Sequence, residues 1–66
     1  MGQLYDAVAK INDVINARGL DVAKTKGELS LKSGFFLAII FPDTPDDPEK
    51  LSKLRTAAKE VLNIDV

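Results

Sequence analysis

The chain has 66 residues, no cysteine, no histidine, and nine basic against ten acidic side chains, for a net charge of −1. That composition excludes disulfides and thiolate metal sites, and it removes the commonest zinc ligand and the usual general base. It also provides no global attraction to phosphate backbones or anionic lipid.

A chain this short is read as one domain, residues 1–66, close to the lower size at which a single core supports a fold unaided. Small proteins add disulfides, a metal or a partner subunit. Cofactors are expected to be none, so a partner subunit is the aid that remains. The apolar fraction of 45% is that of a globular domain rather than a disordered one. No run reaches the roughly eighteen apolar residues of a membrane span. Met1-Gly2-Gln3 is not the start of a signal peptide, and Asp6 stands where a myristoylation motif has Ser or Thr. The sequence reading is a cytoplasmic protein.

In chain order, Leu4, Val8, Ile11 and Ile15 recur at steps of four, three and four, one stripe of a helix over residues 3–18. Gly19 and Leu20 after Arg18 read as a left-handed cap with its hydrophobic contact. Next, Glu28-Leu29-Ser30-Leu31-Lys32 alternates polar and apolar, the period-2 pattern of a half-buried strand. Lys24-Thr25-Lys26-Gly27 before it reads as a turn, and Leu20 to Ala23 as a short preceding strand. Ser33-Gly34 then separates the alternating stretch from Phe35-Phe36-Leu37-Ala38-Ile39-Ile40-Phe41, which holds all three phenylalanines. That run is short, rich in Phe and Ile, and closed by Pro42, which favours a strand.

Pro42 and Pro45 make the following acidic segment a rigid connection. Asp47-Pro48-Glu49 is a helix start: a carboxylate cap, a proline in the first turn and negative charge at the positive dipole end. Leu51, Leu54, Ala58, Val61 and Leu62 form the apolar stripe of a helix over 48–63, with Ala57 beside it. The expected architecture is therefore a two-layer α+β fold, α-β-β(-β)-α. Both helices pack on one face of a small antiparallel sheet within residues 20–41.

The alternative is an all-α bundle. Glu28-Leu29-Ser30-Leu31-Lys32-Ser33-Gly34-Phe35, with Ile40 five residues later, resembles the helix-turn-helix pattern. Leu51 to Ile64 would then be the closing helix. Where that motif exposes Arg, Gln, Asn or Ser to base edges, this chain has Phe36, Leu37, Ala38 and Ile39.

Function is sought in the apolar run. In a strand, Phe36, Ala38 and Ile40 point to the face that two helices leave uncovered. A Phe or Ile left bare forgoes about 1.5–3 kcal/mol of burial, and such patches mark interaction sites. The expectation is a small non-enzymatic interaction or regulatory domain, a homo-oligomer or partner-binding module with Phe36, Ala38 and Ile40 at the contact. The competing expectation is nucleic-acid binding through Lys24, Lys26 and Lys32, helped by Lys50, Lys53 and Lys59. No other chemistry is expected. Asp43, Asp46, Asp47 and Glu49 lack the spacing of a calcium loop, and Ser30, Ser33 and Ser52 have no histidine to activate them.

Overall fold

The computed structural model describes residues 2–35 and 47–66. It contains α1 (Gln3–Ala17), α2 (Val22–Ser33) and α3 (Pro48–Leu62), with no strand among the described residues. The two flanking helices follow their apolar stripes. α1 buries Leu4, Ala7, Val8, Ile11 and Ile15, and α3 buries Leu51, Leu54, Ala57, Ala58 and Leu62. Gly19 takes a positive φ of 65° at the end of α1. The Leu20 amide donates to the Ile15 carbonyl and the Gly19 amide to Asn16, the paired bonds of a Schellman cap. At the head of α3, Asp47 Oδ1 accepts from the amides of Glu49 and Lys50, and Pro48 needs no partner in the first turn. Asn63, at φ 57°, closes that helix.

The α+β expectation is overturned between residues 20 and 35. Val22–Ser33 is a helix, so the expected strand at 28–32, the turn at 24–27 and the short strand at 20–23 are all incorrect. The remainder of the expected sheet, at 36–41, lies outside the described residues. The all-α alternative accounts for what is described. Alternation misled because only one of its two leucines is buried: Leu29 is 0% exposed and Leu31 is 85% exposed. The buried set of α2 is Thr25, Leu29 and Ser33, steps of four along one helical face. Two of those three are polar, so a hydrophobic pattern does not register them. The ends of α2 obey ordinary rules. Asp21 Oδ1 accepts from the Lys24 amide at 2.8 Å, and Gly34 adopts a left-handed conformation at φ 80°.

Gly27 is a helix-interior residue and not the turn glycine expected of it. Among the described residues, a Cβ placed there would meet nothing within 4 Å.

Two contacts set the arrangement. Arg18 Nη1 donates to the Leu62 carbonyl at 2.7 Å, joining the C-terminal ends of α1 and α3. Gln3 shares a cavity with Leu51, Ser52 and Arg55, so the N-terminal ends also meet and the two helices run parallel. α2 crosses the C-terminal part of α3, where Thr25 and Glu28 share a cavity with Val61 and Leu62 and Lys32 pairs with Glu60 at 3.4 Å. One core results, built from α1 and α3 with Leu29 as the aliphatic contribution of α2. Beyond α3, Ile64 and Val66 pack against the core margin, and Arg55 Nε donates to the Val66 carbonyl at 2.8 Å. Among the described residues no buried side-chain nitrogen or oxygen lacks a hydrogen-bond partner.

Candidate functional site

Phe36, Ala38 and Ile40, the expected contact residues, lie outside the described residues. Phe35, the first residue of the apolar run, is described. It is half-buried against the core margin, and Ser33 Oγ donates to its carbonyl at 3.4 Å. Phe35 therefore sits at the edge of the core, just beyond the end of α2.

At that same end the structure places a surface that sequence reading missed. Leu31 projects away from the core, and beside it a cavity of about 300 Å³ is lined by Gly27, Ser30, Leu31, Gly34 and Phe35. Its apolar character has a local cause. Ser30 Oγ donates back to the Lys26 carbonyl at 2.8 Å, so its hydroxyl hydrogen is directed along its own helix. Gly27 and Gly34 carry no side chain, leaving Leu31 and the ring of Phe35 as the bulk of the lining. Ala23, one turn before Gly27, is also exposed. Residues 23, 27, 30, 31 and 34 recur at steps of three and four, so they share one helical face. It lies away from the Thr25–Leu29–Ser33 face that enters the core. Asp21 as cap and Gly34 as terminator were the signals that could have revealed it. Once α2 is a helix, Leu31 falls off the buried stripe.

The lysines do not gather. Lys32 spends its charge on Glu60. Lys24 and Lys26 stand two residues apart on one helix, about 200° around its axis, and so occupy different sides of α2. Lys24 has Glu28 one turn further on its own flank. On α3, Lys53 pairs with Glu49 at 3.2 Å. Of the acidic residues, Asp47 is committed to capping α3, and Asp43 and Asp46 lie outside the described residues. No described helix is long and apolar enough to cross a membrane.

Compared with family models, curated proteins and solved structures, the chain matches none. The functional reading therefore stands on the residues alone.

Proposed function

We propose that this domain is a small, non-enzymatic, cytoplasmic association module that binds protein through apolar surface at the end of α2 and the apolar sequence continuing from it. Phe36, Ala38 and Ile40 remain the contact residues of that reading. The observation that carries it is Leu31, a large aliphatic side chain 85% exposed beside an apolar cavity that ends at Phe35. An exposed leucine alone is ordinary. One that adjoins an apolar cavity lined also by Phe35 is part of a patch, and patches of that kind mark interaction surfaces.

Nucleic-acid binding through Lys24, Lys26 and Lys32 has less support, because the three cations are dispersed or paired and the net charge is −1.

The test is sedimentation velocity on the whole chain and its Phe36→Asp variant, with circular dichroism to follow folding. Association that Phe36→Asp abolishes, with the helical spectrum retained, is the expected result. A variant that associates as the parent does would remove residues 36–40 from the contact.

A further inference from the structure

We draw no further inference here: the strongest candidate, the outer face of α2 with its exposed Leu31 beside the cavity lined by Gly27, Ser30, Gly34 and Phe35, belongs to the site already described, and nothing among the described residues shows what covers it.

Discussion

Arg18 Nη1 donates to the Leu62 carbonyl at 2.7 Å, across 44 residues of sequence. The acceptor is one of the last carbonyls of α3, which have no partner within their own helix. The donor sits at the C-terminal end of α1. A single guanidinium thus lies at the negative ends of two parallel helix dipoles and closes one orphan acceptor.

Replacing Arg18 by Met keeps the aliphatic stem and removes the donor. The bond is part-buried and the residue exposed, so the loss is expected below the usual range for hydrogen bonds to charged groups, at about 1 kcal/mol. Urea denaturation measures it, and raised salt should shrink the difference between parent and variant. An unchanged midpoint would show that the bond contributes nothing net.

Leu29 and Leu31 give the sharpest check on α2 as a helix. Leu29 is wholly buried and Leu31 almost wholly exposed. Leu29→Ala should cost about 2–5 kcal/mol, enough to unfold much of a domain this small. Leu31→Ala at low protein concentration should stay within about 0.5 kcal/mol of the parent. In a strand the two leucines would share a face, and their costs would be similar.

Two glycines of the same segment should respond with opposite sign. Gly34 holds a φ of +80°, so Gly34→Ala strains the backbone and should destabilise by about 1 kcal/mol. Gly27 is helical, and among the described residues nothing lies within 4 Å of where its Cβ would be, so Gly27→Ala should stabilise the monomer by about 0.5–1 kcal/mol. Thermal melts at low concentration read both. Stabilisation of both variants would show that α2 does not end at Gly34.

The two aspartate caps offer a graded comparison. Asp47→Ala and Asp21→Ala each remove a side-chain acceptor at a helix N-terminus, a change worth about 0.5–2 kcal/mol. α3 is held by five buried residues of its stripe, whereas α2 buries one aliphatic side chain with Thr25 and Ser33. Local fraying, followed by amide hydrogen exchange, should therefore extend further into α2 after Asp21→Ala than into α3 after Asp47→Ala. Equal fraying would mean that tertiary contact secures α2 more firmly than its buried set implies.

The sequence alone determined α1 and α3, because in those helices burial, periodicity and end chemistry agree. Leu4, Val8, Ile11 and Ile15 are both the pattern and the core, and Asp47-Pro48 is both the motif and the observed cap. Only the tertiary structure decided α2. Its inward face is Thr25, Leu29 and Ser33, and what buries the two polar members is packing against the rest of the fold, with α3 beside Thr25, which is not encoded in any local window. Local sequence instead displayed Leu29 and Leu31 at a spacing of two, and that spacing resembles a strand until a neighbouring helix chooses which leucine goes inside. The candidate surface was hidden for the same reason. Leu31 became a surface residue only when packing fixed the rotation of α2 about its axis, since hydrophobicity tells which side chains favour burial but not which of two will find a neighbour.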